Sequence, residues 1–142
     1  MQIQGSRTNF GMAYISPSRK DMPYFKEYLA KSSSNGKIDT RALGEFIIEQ
    51  SKNNNVDMQY KHTKNGDYFE VFEVENPNNV IVVPCEKRDF DIDKEKGVLN
   101  KIKNFFGVGK SYEFDPQGSW DNLPKPMKEA GRIADNMEKD VS

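Results

Sequence analysis

Residues 56–86 read VDMQYKHTKNGDYFEVFEVENPNNVIVVPCE, and this stretch decides the fold. Asn65-Gly66 and Asn76-Pro77-Asn78-Asn79 divide it into three apolar runs, the composition of a three-stranded antiparallel meander. Asn and Gly tolerate the positive φ that a tight type I′ hairpin needs at both central residues. A two-residue loop at Asn65-Gly66 predicts His62 opposite Phe69, Lys61 opposite Glu70, Tyr60 opposite Val71 and Gln59 opposite Phe72. One face of the sheet then carries Val56, Met58, Tyr60, His62, Phe69 and Val71. The second turn sets Val74 against Ile81 and Phe72 against Val83, which makes those four residues a second apolar face. Such a face needs cover from another element or from a partner.

Outside the meander the apolar spacing is mostly helical. Residues 22–32 predict a helix with Asp21 as N-cap, Pro23 in the first turn and a stripe of Phe25, Tyr28 and Leu29. A better signalled helix follows Asp39, a good N-cap, with Ile38 placed to meet Leu43 as a hydrophobic staple. Its stripe is Leu43, Phe46, Ile47 and Gln50, widened by Ala42 and Ile48, and it should stop near Lys52, before three asparagines. Upstream, residues 8–15 (TNFGMAYI) alternate bulky and small side chains like a strand. Downstream, Asp89, Asp91 and Asp93 alternate with Phe90 and Ile92 as an extended edge. A helix over 94–106, closed by Gly107, gathers Val98, Leu99, Ile102, Phe105 and Phe106 into one arc. Lys94 and Lys101 flank one side of that arc, and Lys96 and Lys103 the other. Residues 110–114 add a short strand.

The expected architecture is α+β. An antiparallel sheet of four to five strands, with the meander at its centre and about three helices packed on it, forms one domain over 1–115. Residues 116–142 are a Pro/Gly-punctuated loop with a weakly amphipathic C-terminal helix, about 125–139. The stripe of that helix, Met127, Ala130, Ala134 and Met137, is too thin for independent stability, so the segment is docked or frayed.

Charge and composition narrow the function classes. The net charge is −1, with seven Lys or Arg against three Asp or Glu in residues 1–41 (+4) and fourteen against nineteen in the rest (−5). No basic run is dense enough for a nucleic-acid arm, so no nucleic acid is expected as partner. A single cysteine excludes an internal disulfide. The segment MQIQGSRTNF lacks the apolar core of a signal peptide, and no apolar run approaches the roughly 20 residues of a membrane span. The expectation is a soluble, cytoplasmic protein.

Motif chemistry fails at most candidates. Gly107-Val108-Gly109-Lys110-Ser111 ends like a phosphate loop, but Asn104 stands where the first glycine belongs, and the segment follows a helix rather than a strand. Asp89, Asp91 and Asp93 match three calcium-loop positions, while Lys94 and Asn100 replace the obligatory glycine and glutamate. One histidine leaves no His-rich zinc site. The predicted register puts His62 and Cys85 on opposite faces, which excludes a Cys–His dyad. Two candidate contact surfaces remain. The lysines 94, 96, 101 and 103 (Lys94, Lys96, Lys101, Lys103) would suit an anionic surface, although the same pattern describes a helix packed on a sheet. Trp120, in its Pro/Gly-rich loop, is either a partner-binding anchor or a side chain that fixes the loop to its own domain. The expected function is a non-enzymatic protein-interaction module with another protein as partner and no cofactor or metal. The alternatives are a peripheral binder of anionic membrane or ligand surfaces through 94–106, and an enzyme with a carboxylate-based site.

Overall fold

The computed structural model describes residues 14–87, 90, 92 and 112–141. The element order is β1 (Tyr14–Ile15), α1 (Met22–Ser32), β2 (Ile38–Asp39), α2 (Thr40–Gln50), β3 (Val56–Thr63), β4 (Gly66–Glu73), β5 (Val80–Pro84), β6 (Phe114–Asp115), a 3-10 turn at Trp120–Asn122, and α3 (Lys125–Val141). The helix expected at 94–106, the acids Asp89, Asp91 and Asp93, and the segment 107–111 lie outside the described residues. Among the described residues no helix is long and apolar enough to cross a membrane.

The fold is α+β, with a four-stranded sheet in the order β1-β3-β4-β5 and a small two-stranded sheet of β2 and β6. The meander is contiguous, as expected, but the sheet is mixed rather than antiparallel. Tyr14 and Ile15 run parallel to Met58 and Gln59. Parallel neighbours need a long crossover, and here α1 and α2 supply it. Direction of pairing leaves no trace in the alternation of one short strand, so the sequence could not show it.

Both hairpin registers differ from expectation, with different consequences. The first closes at Thr63 opposite Gly66, with Lys64 and Asn65 in the turn. Gly66 has φ +143 and opens β4, a conformation that favours glycine. His62 therefore opposes Asp67, Tyr60 opposes Phe69, Met58 opposes Val71, and Lys61 faces Tyr68 rather than Glu70. A slip of two residues leaves every side chain on its own face. The expected inner face survives it: Val56, Met58, Tyr60, Phe69 and Val71 are all fully buried.

The second loop is longer than a four-residue turn. It is closed by Glu73 N–H donating to the Asn79 carbonyl at 3.1 Å, and Val71 then opposes Ile81 and Phe69 opposes Val83. This slip is odd, so the faces of β5 exchange. Ile81 and Val83 turn to the helix side, while Val80 and Val82 lie on the outer side with Phe72 and Glu70. The expected shared face of Phe72, Val74, Ile81 and Val83 does not form.

All three described helices pack on the inner face. From α1, Phe25 and Tyr28 lie 5.0 and 5.7 Å (ring centroids) from Tyr60. From α2, Phe46 meets Tyr14 edge-on at 6.3 Å. Ile48, expected in the apolar stripe of α2, is 72% exposed and leaves the buried side to Ala42, Phe46 and Gln50. Asp39 caps α2 by accepting from Ala42 N–H at 2.9 Å, whereas the Asp21 side chain makes no cap bond to α1.

In α3 the thin stripe of Met127, Ala130, Ala134 and Met137 is buried together with Gly131. Small residues allow close approach: a Cβ on Gly131 would lie 2.9 Å from the Phe46 ring. The polar end of α3 is held by the asparagines that stop α2. Asn53 donates to Asp135 at 2.9 Å, and Asn55 donates through its backbone and side chain to Glu138 at 2.9 and 2.8 Å.

Candidate functional site

Two arrangements of polar and aromatic side chains stand out, one inside the fold and one on its surface. The interior one lies where the meander's registers bring His62, Asp67 and Cys85 into one row. His62 pairs with Asp67 across the first hairpin, and Cys85 N–H donates to the Asp67 carbonyl at 2.9 Å across the second. Histidine and cysteine thus share a face, contrary to the sequence expectation, because the odd slip of β5 turned Cys85 over. A full strand still separates them, roughly 9–10 Å of sheet, so they are not aligned as a dyad.

Asp67 is the hub of this row. One carboxylate oxygen lies 2.6 Å from His62 Nδ1, and the other accepts from the Tyr60 hydroxyl. An ionised carboxylate only accepts, so Nδ1 carries the proton. His62 Nε2 has no hydrogen-bond partner among the described residues. Tyr24 stacks on the imidazole at 3.5 Å with 7° between planes, and Phe90 meets it edge-on at 5.7 Å. Burial first, then the bond to Asp67, pushes the Tyr60 phenol far above the ordinary tyrosine range. The described residues bring no nucleophile to His62, and the row reads as a packed polar strut between β3 and β4. Among the described residues no group of three or more His, Cys, Asp or Glu is placed to hold a metal ion.

The surface arrangement is a cleft of about 490 Å³ between α2 and α3. Phe46 and Trp120 line it, their ring centroids 5.8 Å apart and their planes tilted by 34°. Trp120 is 38% exposed, so it both fixes its own loop and presents an indole surface outward. Glu45 and Glu49 form the α2 wall, and Lys128, Gly131 and Arg132 the α3 wall. Most of these charges are already paired. Arg41 reaches Glu45 at 3.6 Å, Lys52 bonds Glu49 and stands 3.8 Å from Asp135, and Arg132 is bonded to Glu129. The Glu129 carboxyl is lowered chiefly by that hydrogen bond, and the Lys52 ammonium is raised chiefly by its bond to Glu49. Lys128 pairs with no acid among the described residues.

The loop that carries Trp120 is built on α2's own cap. Asp39 accepts from Asn122 at 2.9 Å with the oxygen not used by Ala42. Gly118 lies so close that an added Cβ would stand 1.7 Å from that same carboxylate. Asp115 starts the loop by accepting from Gln117 N–H and from Asn35, each at 2.9 Å, and these bonds hold its carboxyl below the usual range.

Of the residues singled out in the sequence, Trp120 is in this cleft, while Lys94, Lys96, Lys101 and Lys103 lie outside the described residues. Sequence reasoning missed Lys128, Arg132 and the second role of Phe46, whose spacing marked it only as core. The adjacent small residues of α3 were the available signal, since they permit the close helix packing that forms the cleft. The chain matches no family model, no curated protein and no solved structure.

Proposed function

We propose that this chain is a protein-binding module whose docking surface is the cleft between α2 and α3. The observation that carries it is the half-exposed Trp120 set beside Phe46 in a cleft with a charged rim. A buried-edged aromatic in a pocket is the usual anatomy of an interface anchor, and tryptophan is enriched there. The rim states the partner's chemistry. Glu45, Glu49 and Arg132 are paired within the chain, and among the described residues of the rim Lys128 is the cation left to engage. The partner segment therefore offers an apolar side chain to Phe46 and Trp120 and a carboxylate to Lys128.

Paired affinity capture with the wild-type chain, Trp120→Ala and Lys128→Glu tests this. Circular dichroism confirms that each bait is folded, and Ile48→Ala, outside the cleft, serves as control. A partner retained by wild type and Ile48→Ala should bind Trp120→Ala with a loss of about 2 kcal/mol or more, roughly thirtyfold in affinity. Lys128→Glu should weaken it most at low salt. Equal binding of the partner to wild type and Trp120→Ala overturns the proposal.

A further inference from the structure

We infer that β5 is the seam of a symmetric dimer, pairing antiparallel with β5 of a second copy so that two four-stranded sheets become one. β5 ends the sheet order, and among the described residues no strand pairs with its outer edge. Val80, Ile81 and Val82 are 41, 42 and 52% exposed. No charge stands between Val80 and Pro84, so of the side chains that ordinarily protect a free edge β5 carries only the proline at its end.

The hydrogen-bond inventory of this edge closes under a two-fold axis. Cys85 N–H and the Asn79 carbonyl both bond β4, so the odd-numbered residues of β5 face inward along the sheet. The N–H and C=O groups of Val80 and Val82 therefore point away from β4, and Pro84 adds only a carbonyl. An antiparallel register centred on Ile81 opposes Val80 to the second copy's Val82, and each such pair exchanges both of its bonds. Every outward N–H of the strand is then satisfied. A register centred on Val82 instead opposes Pro84 to Val80 and, because proline has no N–H, leaves each Val80 carbonyl without a donor. The register centred on Ile81 keeps the proline outside the bonded pairs, and in it Ile81 meets its own copy as a non-hydrogen-bonded pair, the closest approach two strands allow.

Charge complementarity argues for a second copy rather than an unrelated strand. On the helix side, a groove of about 290 Å³ runs beside Ile81, lined by Ile133, Met137 and Val141 of α3, with Arg132 and Asp140 two turns apart along it. The two-fold lays the second α3 antiparallel to the first. Arg132 of each copy, whose exposed guanidinium is shared with its own Glu129, then faces Asp140 of the other, while the apolar groove residues enclose the Ile81 pair. Arg132 lines both this groove and the Trp120 cleft, but the two share no other lining residue, so substitutions on β5 test the seam independently of the proposed binding cleft.

Light scattering coupled to size exclusion should give the wild-type chain twice its monomer mass, and Ile81→Lys and Val82→Lys, both at exposed positions, should be folded monomers. In a Cys85→Ser background, mild oxidation should cross-link Ile81→Cys into a dimer, because a non-hydrogen-bonded pair brings the Cβ atoms within disulfide reach. Val82→Cys in the same background should link poorly. A monomeric wild type at every concentration overturns the proposal, as does a dimer that survives both lysine substitutions. Preferred linkage through Val82→Cys overturns the register.

Discussion

At Asp67 a single buried carboxylate takes the Tyr60 hydroxyl on one oxygen and the His62 imidazole on the other. Removing either donor leaves an acceptor buried without a partner. Tyr60→Phe is therefore expected to destabilise the fold by about 1–3 kcal/mol, measured by urea denaturation. Tyr60 also fixes an alkaline limit. Its folded pKa is raised above the ordinary 10.0, so the folded state holds the phenol proton that the unfolded state releases. The associated stability is complete below pH 10 and declines as pH rises beyond it. Ultraviolet titration should show the Tyr60 phenol ionising only together with unfolding, and phenolate formation in the native state would contradict this. The sequence marked His62 and Tyr60 as sharing one face, correctly, but set His62 against Phe69. A slip by two residues preserves every face, so no hydrophobic pattern could reveal that Asp67 was the true neighbour.

Among the elements, the helices were the most legible and the loops that join them the least. The observed α1 spans the expected residues, and the cap at Asp39 is present, because spacing and capping are local. The thin stripe of α3 was legible as a pattern but not as a docking surface. Its small residues work by letting α3 approach Phe46, and its polar end is held by Asn53 and Asn55, which the sequence marked only as breakers. Cleft formation depends on contacts some 80 residues apart, such as Gln50 with Asp135, so only Trp120 could be singled out beforehand. The loop that positions Trp120 has its own test at Gly118. Any side chain there meets Asp39, so Gly118→Ala is expected to lower stability by about 1–3 kcal/mol. It should also shift Trp120 emission to the red as the indole leaves Phe46. An unchanged emission spectrum with unchanged stability would show that the loop does not rest on Asp39.

For the whole molecule, the meander organises everything described, with three helices on its inner face and β5 at its margin. The fold class was legible because alternation fixes an inner face. The parallel β1 and the exchanged faces of β5 were not, because pairing direction and loop length depend on the returning chain. The proposed docking surface is the α2–α3 cleft, and the chain's single tryptophan stands in it. Acrylamide quenching of Trp120, alone and with a captured partner at saturation, therefore tests the central claim most directly. The free chain should be readily quenched, and the complex should show a blue-shifted emission with quenching suppressed severalfold. A stable complex in which Trp120 keeps its emission and its accessibility would place the partner elsewhere and contradict the account.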